Sequence, residues 1–293
     1  AQTTEKITTS GTFTVPGGVS EITIEAWGGG GAGGSTLSTS NQQAGGGGSG
    51  AYSKSTVEVT PGDEIGIIIG SGGTSYDFSG NDAVNGKESK VTDKNSDVIV
   101  LAKGGMSVVN NTDSDKGAAG GPGDGIGDVT KKGNPGKNAS GSDSGAGGNA
   151  PVGEGAGGSL VNGNSNGKPG IVPGGGGSGS SSLTGVNPFV TNGGDGAKGR
   201  VDITYTRFIQ KTPGDFNEPD NWEGNNGNAP GPGDFVAIGD GITSTLTGNE
   251  SINYLTLENN SKIELGSNNL NVKGNLENKS QFTGSGKVIF NGT

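Results

Sequence analysis

The side chains able to do chemistry here are carboxylates, amines and hydroxyls, because the 293 residues contain no His and no Cys. His is the side chain that most readily changes charge near neutral pH and the commonest zinc or copper ligand. Without it, Ser-His-Asp hydrolysis and His-bound metal hydrolysis drop out. Without Cys there is no disulfide, thiol nucleophile or thiolate metal site.

Carboxylates leave calcium as the metal to test. "GGPGDGIGD", residues 120 to 128, approaches the Gly-Gly-x-Gly-x-Asp calcium repeat, but Asp128 falls out of register and no tandem copy follows. Asp113 to Asp115 and Asp240 are isolated, with fewer oxygen ligands in any one loop than calcium takes. "GGGGAGG", residues 28 to 34, lacks the Gly-Lys-Ser/Thr ending and the following helix of a phosphate loop. The expectation is a chain with no cofactor and no catalytic residues, hence no enzyme.

Charge narrows the partners. A formal net charge of −10 disfavours nucleic acid and anionic membranes, which require clustered Lys and Arg. Aliphatic runs such as Ile67 to Ile69 are far short of a membrane-inserting span. The first residues, "AQTTEKITT", look like what remains after a signal peptidase cuts behind a small residue, so the chain is read as secreted and extracellular.

The elements that position these groups are strands and glycine segments. "GTFTVPGGVSEITIEAW" alternates Phe13 and Val15, turns at Pro16-Gly17-Gly18, and alternates Ile22, Ile24 and Ala26. "AYSKSTVEVTPGDEIGIIIGSGG" repeats the design around Pro61-Gly62-Asp63. Both read as β-hairpins. Further strands are expected in "SKVTD", "DVIVLAKGG" and "GRVDITY". No helix signal occurs.

Gly 65 and Pro 12 would ordinarily suggest low complexity. Glycines spaced by three argue instead for structure: Gly117, Gly120 and Gly123, then Gly133 and Gly136, Gly155 and Gly158, Gly167 and Gly170, and Gly193, Gly196 and Gly199. Three residues make one turn of polyproline II, which has no internal hydrogen bonds, so its amides must bond to neighbouring segments. Any Cβ at the contact would hold the segments apart. The fold class expected for residues 1–207 is therefore a β-hairpin base carrying a folded-back glycine-rich polyproline II bundle, with Gly120 and Gly196 as close-contact positions.

The stretches between these segments, such as "STLSTSNQQA" and "GSSSLTGVNPFVTN", are expected to project at the bundle end. Leu183, Val186, Pro188 and Phe189 would give the second an apolar anchor for a ligand, or else pack onto the bundle. Loops held by a rigid scaffold commonly carry recognition.

Near residue 207 glycine thins out and short apolar alternations begin. Val236-x-Ile238 recurs as Leu255-x-Leu257, Leu246 as Leu265, Leu257 as Leu276, Ile263 as Phe282, and Leu270-x-Val272 as Val288-x-Phe290. A period near 19, with Asn259, Asn260, Asn268 and Asn269 at corners, predicts a parallel β-helix or solenoid over residues 208–293, and an antiparallel sandwich is the alternative. Trp222 is expected to cap the open solenoid core, or else to stack on a sugar, and Trp27 to lie in the core. The last repeat, "GKVIFNGT", has no polar cap, which suggests a front part of a longer chain.

"GTFTVPGGVSEITIEAWGGGGAGG", "GGGGSGAYSKSTVEVTPGDEIGIIIGSGG" and the closing "GGDGAKGRVDITY" resemble the glycine-rich domain of bacterial surface proteins and of certain phage tail-tip adhesins, over about residues 8 to 206. The resemblance implies a β base carrying a polyproline II sandwich and adhesion through variable loops at its tip. No individual binding residue carries over. "TPGDFNEPDNWEGNNGNAPGPGDFVAIGDG" resembles the entry to β-helical regions in secreted Bacteroidota proteins. That resemblance implies type 9 secretion and a part in gliding or attachment.

The function expected is a non-enzymatic cell-surface adhesin or surface-structure component. Its partners would be a surface glycan or protein receptor, the secretion or anchoring machinery, and further copies of itself. Alternatives are a phage tail-tip receptor-binding adhesin, a β-helical polysaccharide-degrading enzyme built on paired carboxylates, and an ice-binding protein, which needs a flat ladder of Thr.

Overall fold

The computed structural model describes residues 2–38, 42–79, 81–108, 116–183, 189–224 and 227–291. Its first part runs through β1 (Gln2–Ile7), β2 (Gly11–Thr14), β3 (Glu21–Trp27), β4 (Thr36–Ser38), β5 (Gln42–Gln43), β6 (Tyr52–Glu58) and β7 (Glu64–Ile68). It continues with β8 (Ser89–Thr92), β9 (Val98–Ala102), β10 (Val129–Lys131), β11 (Ser181–Ser182), β12 (Phe189–Thr191) and β13 (Arg200–Thr206). The base is two antiparallel sheets, ordered β1-β13-β3-β6-β10 and β2-β7-β8-β9.

Neither expected hairpin forms. The turn at Pro16-Gly17-Gly18 carries the chain from β2 in one sheet to β3 in the other, and the Pro61-Gly62-Asp63 turn does the same between β6 and β7. The pairs that form are β3 with β6 and β2 with β7. The driving force is burial: Ile22, Ile24, Ala26, Val201 and Ile203 face Ile65, Ile67, Val91 and Val100 in one core. A hairpin would leave each pair of strands with one apolar face and no partner layer.

Above the base the backbone packs on itself with a three-residue period. Gly28, Gly31 and Gly34 donate to the carbonyls of Ala51, Gly48 and Gly45, while Gly30 and Gly33 donate to Ala197 and Gly194. The run Gly46 to Ala51 turns to three neighbours in rotation: Gly46 and Ser49 reach Lys137 and Asn134, Gly47 and Gly50 reach Gly177 and Gly174, and Gly48 and Ala51 reach Met106 and Lys103. Every third residue meets the same antiparallel partner. That is polyproline II symmetry, and it makes neighbouring segments the sole source of amide acceptors. Close approach explains the composition, because a Cβ on Gly47 would overlap the Gly31 carbonyl, one on Gly120 that of Gly133, and one on Gly196 that of Gly30. The Gly28–Gly34 amides named above are thus committed to carbonyls, and Ala32 donates to Ser107 Oγ at 2.8 Å, which removes the phosphate-loop reading.

The second part comprises β14 (Ile209–Gln210), β15 (Gly214–Asp215), β16 (Trp222–Glu223), β17 (Phe235–Ile238), β18 (Thr243–Thr245), β19 (Glu250–Ile252) and β20 (Tyr254–Leu257). It ends with β21 (Lys262–Gly266), β22 (Leu270–Val272), β23 (Leu276–Asn278), β24 (Gln281–Gly284) and β25 (Val288–Phe290). These coil through three ladders, β14-β17-β20-β23, β15-β18-β21-β24 and β19-β22-β25, all parallel; β16 adds an antiparallel edge beside β14. Val236 pairs with Leu255, Ile263 with Phe282, and Leu270 with Val288, as the repeat predicts. Leu276 differs. It pairs with Leu255 and not Leu257, because the corner before β23 is longer and Gly274 donates to Asn253 O within it. Inward Leu, Ile and Val fill the coil, and Asn249 and Asn269 ladder a corner, Asn249 Oδ1 accepting the Asn269 amide at 2.7 Å.

Hydrogen bonds link the two parts. Phe208 belongs to the coil core yet its amide donates to Gly18 O in the base at 2.7 Å, Arg207 Nε donates to Gly17 O at 2.9 Å, and Tyr254 donates its hydroxyl to Pro61 O at 3.1 Å. Arg207 also pairs with Glu258.

Three buried phenols give the fold an alkaline limit. Burial, then the hydrogen bond its hydroxyl donates to the Glu5 carboxylate, pushes Tyr205 up to about 12. Burial likewise raises Tyr52, with the hydrogen bond to Glu25 second, and Tyr254. Unfolded tyrosines ionise near pH 10 (about) while these stay protonated, so the unfolded chain holds fewer protons and stability falls as pH rises from about 10 towards 12. A spectroscopic alkaline titration is expected to show these phenolates appearing together with loss of the near-ultraviolet circular dichroism. Smooth ionisation near pH 10 (about) with the fold intact would contradict the burial argument.

Candidate functional site

The bundle segments run up from the base and back, so their connections gather at one end. Four of these, 35–44, 74–85, 138–144 and 161–166, are wholly or largely described; the rest of the end is built from the chain around β11 and β12. Where glycine gives way to Ser and Thr, the chain can pair as strand: β4 pairs with β12 and β5 with β11. Bridges from Asp143 to Asn162 and from Ser165 to Ser181 tie adjacent turns.

Hydroxyls take over the role that carbonyls play lower down. The buried Thr36 Oγ1 lies 2.7 Å from Thr191 Oγ1 and 3.1 Å from Ser182 Oγ. Ser35 Oγ donates to Tyr76 O at 2.6 Å and accepts the Gly193 amide at 2.9 Å. Asp77 accepts from Asn81 and Ser79, and those hydrogen bonds, the Asn81 side chain first, lower its pKa. Leu183 N donates to Asn164 Oδ1 at 2.7 Å. The surface is therefore held from below by hydrogen-bonded hydroxyl, amide and carboxylate groups.

Several of the side chains it exposes are apolar. Leu37 and Val190 sit directly opposite each other in the β4–β12 ladder at 42% and 45% exposure. Leu183 at the end of β11 and Val84 are also exposed, and Tyr76 and Phe78 meet edge-on at 5.1 Å.

Of the residues expected to form the anchor, Leu183 is exposed at this end. Val186 and Pro188 lie outside the described residues, as does Asp113 to Asp115. Phe189 is described by its backbone, which opens β12 opposite Ser38. Leu37, Val190, Tyr76 and Phe78 were not anticipated: Leu37 is a lone apolar residue in a polar stretch, Val190 merely follows Phe189, and pairing across about 150 residues of chain is what brings those two together. Gly120 and Gly196 lie inside the bundle. Trp222 is buried in the coil core between Phe208 and Phe216, its ring nitrogen donating to Phe216 O at 2.8 Å. No face is left for a sugar. Trp27 is buried as expected.

Asp128 is occupied, its Oδ2 accepting the Thr56 amide at 3.0 Å. Among the described residues no three carboxylates are grouped to hold a metal ion. The outer face of the first base sheet carries a Thr row that repeat analysis missed, Thr4-Thr204-Thr23-Thr56, because it runs across strands. It is a single row, bounded on one side by Lys6, Asp202, Glu25 and Lys54 and on the other by Glu21 and Glu58.

The fold is that of an all-β protein whose backbone-bonded glycine bundle carries its connecting loops at one end. The chain belongs to the glycine-rich domain family, whose pattern matches residues 7–206. No curated protein matches it.

Proposed function

We propose that this protein is a non-enzymatic adhesin exported to the bacterial cell surface, with its receptor-binding surface at the bundle tip and the coil as its stalk. The observation that supports this most directly is the apolar pair Leu37 and Val190, exposed on strands anchored by the Thr36 hydroxyl network. Exposed apolar side chains on a polar, rigidly held surface are what a protein or glycan receptor can dehydrate on contact. Export and surface attachment belong to the same proposal, supported by the resemblance of residues 212–241 to the entry of β-helical regions in secreted Bacteroidota proteins.

The test is adhesion of beads coated with the full chain to cells and to glycan-coated surfaces. The double substitution Leu37→Asp and Val190→Asp is expected to abolish adhesion and leave the melting temperature within about 2 °C, since both positions are surface sites. Adhesion that survived this change would refute the tip assignment.

A further inference from the structure

In the base sheet β1-β13-β3-β6-β10 the direction of each backbone group follows from alternation, because successive residues of an antiparallel strand bond to opposite neighbours. Val59 donates to Ser20 O and Gly28 to Ala51 O at the two ends of the β3–β6 pairing. The even-numbered residues of β3 therefore bond to β6 and the odd-numbered ones to β13. Carried through the β13 register, this leaves Thr3, Glu5 and Ile7 bonded to β13. Gln2, Thr4 and Lys6 then turn their amides and carbonyls away from the sheet, where no hydrogen bond to another described residue satisfies them. The 2.9 Å approach of Thr4 Oγ1 to Thr204 Oγ1 fits, since side chains come closest across pairs that exchange no backbone bonds.

β1 is thus an open edge of six residues, free of Pro and of bulges. Such an edge is a template for another strand, and proteins ordinarily guard it with charged side chains. Here both charges are turned aside: Tyr205 donates its hydroxyl to Glu5 Oε1 at 2.6 Å, and Lys6 Nζ lies 3.9 Å from Glu154 Oε2. The other edges of the base differ. β10 has three residues and β2 four, while β9 is covered where Leu101 and Ile126 exchange backbone hydrogen bonds.

We propose that β1 pairs antiparallel with β1 of a second copy about a two-fold axis at Thr4, joining two base sheets into one. In that register Gln2 faces Lys6, Thr3 faces Glu5 and Thr4 faces Thr4, and the even-numbered residues exchange backbone bonds. Centring the axis on Glu5 or Lys6 would set like charges opposite each other, which repels, and centring it on Thr3 would shorten the overlap. Ile7 pairs with Val201 at the bundle end of β13 and Gln2 with Thr206 at the coil end, so the two bundles point in opposite directions. On the adhesin reading such a pair would bridge two surfaces, but the pairing does not depend on that reading.

Sedimentation velocity on the full chain, from about 5 to about 500 µM, is expected to show the reversible dimer of a small interface. Gln2→Glu sets a carboxylate opposite Lys6 of the second copy at both ends of the seam and is expected to tighten the dimer about threefold or more. Gln2→Lys is expected to weaken it by a similar factor. Thr4→Pro removes no bond to β13, yet takes the central donor from the seam, and is expected to abolish the dimer with the fold retained. If Thr4→Pro unfolded the base instead, the opposite signs of the two Gln2 variants would still decide. A chain monomeric throughout that range would overturn the proposal. So would a dimer that survived Thr4→Pro in a folded protein, or one that the two Gln2 variants left unchanged or shifted in the same direction.

Discussion

Valine at Gly47, Gly120 or Gly196 is expected to abolish the folded glycine-rich domain at room temperature. At Gly47 the new Cβ would enter the space of the Gly31 carbonyl and the Ala32 backbone, and no flexible side chain lies between to yield. Relief requires the segments to move apart, which breaks hydrogen bonds such as Gly47 to Gly177 and Gly148 to Gly47 and passes the displacement to the next neighbour three residues on. Each amide so orphaned inside the bundle costs about 1–3 kcal/mol, so a handful consumes the roughly 5–15 kcal/mol that a domain has in total. Gly11 and Gly233 provide the comparison, since a Cβ on either meets nothing within 4 Å. Alanine there is expected to shift stability by less than about 1 kcal/mol. Circular dichroism and thermal melting of the five variants decide the matter. A wild-type melting curve for Gly47→Val would mean that the backbone contacts are not what holds the bundle.

Arg200→Ala is expected to cost about 3–5 kcal/mol, because it strands a buried carboxylate. Arg200 Nε lies 2.7 Å from Asp202 Oδ1 with side-chain exposures of 9% and 8%, and a second guanidinium nitrogen donates to Oδ2 at 3.0 Å. The guanidinium also covers the Trp27 ring, 4.9 Å from its centre, and Trp27 in turn donates to Val152 O at 2.7 Å. Burial raises the Asp202 pKa, with Arg200 acting in the opposite direction, so the arginine is what keeps this carboxylate tolerable inside. Removing both charges, as Arg200→Met with Asp202→Leu, is expected to recover most of the loss. Urea unfolding of the two variants measures the difference. A single variant as stable as the wild type would show that water already reaches Asp202.

Much of the architecture can be read locally. Ile22 and Ile24, Ile65 and Ile67, and Val201 and Ile203 alternate because a strand with one buried face must, and all six are core residues. The glycine triplets announce polyproline II for an equally local reason, since each contact residue must lack a Cβ. In the coil, Val236 and Leu255 declare their pairing through inward side chains.

Partner choice is where local reading stops. A Pro-Gly turn serves a hairpin and a crossover equally well, and only the need to close Ile24 against Val91 and Val100 selects the crossover. The displaced register at Leu276 arose in a corner, where added residues change no inward side chain. Arg200 and Asp202 show by their spacing that they share a face, yet their burial comes from the 150–155 loop arriving over Trp27. The tip pair Leu37 and Val190 and the like-charged pair Glu21 and Glu58 are likewise products of strand register. The physical reason is sharpest in the bundle. A glycine amide accepts any carbonyl as partner, so nothing in the sequence marks Gly31 for Gly48 or Gly30 for Ala197, and the tertiary fold alone makes those matches.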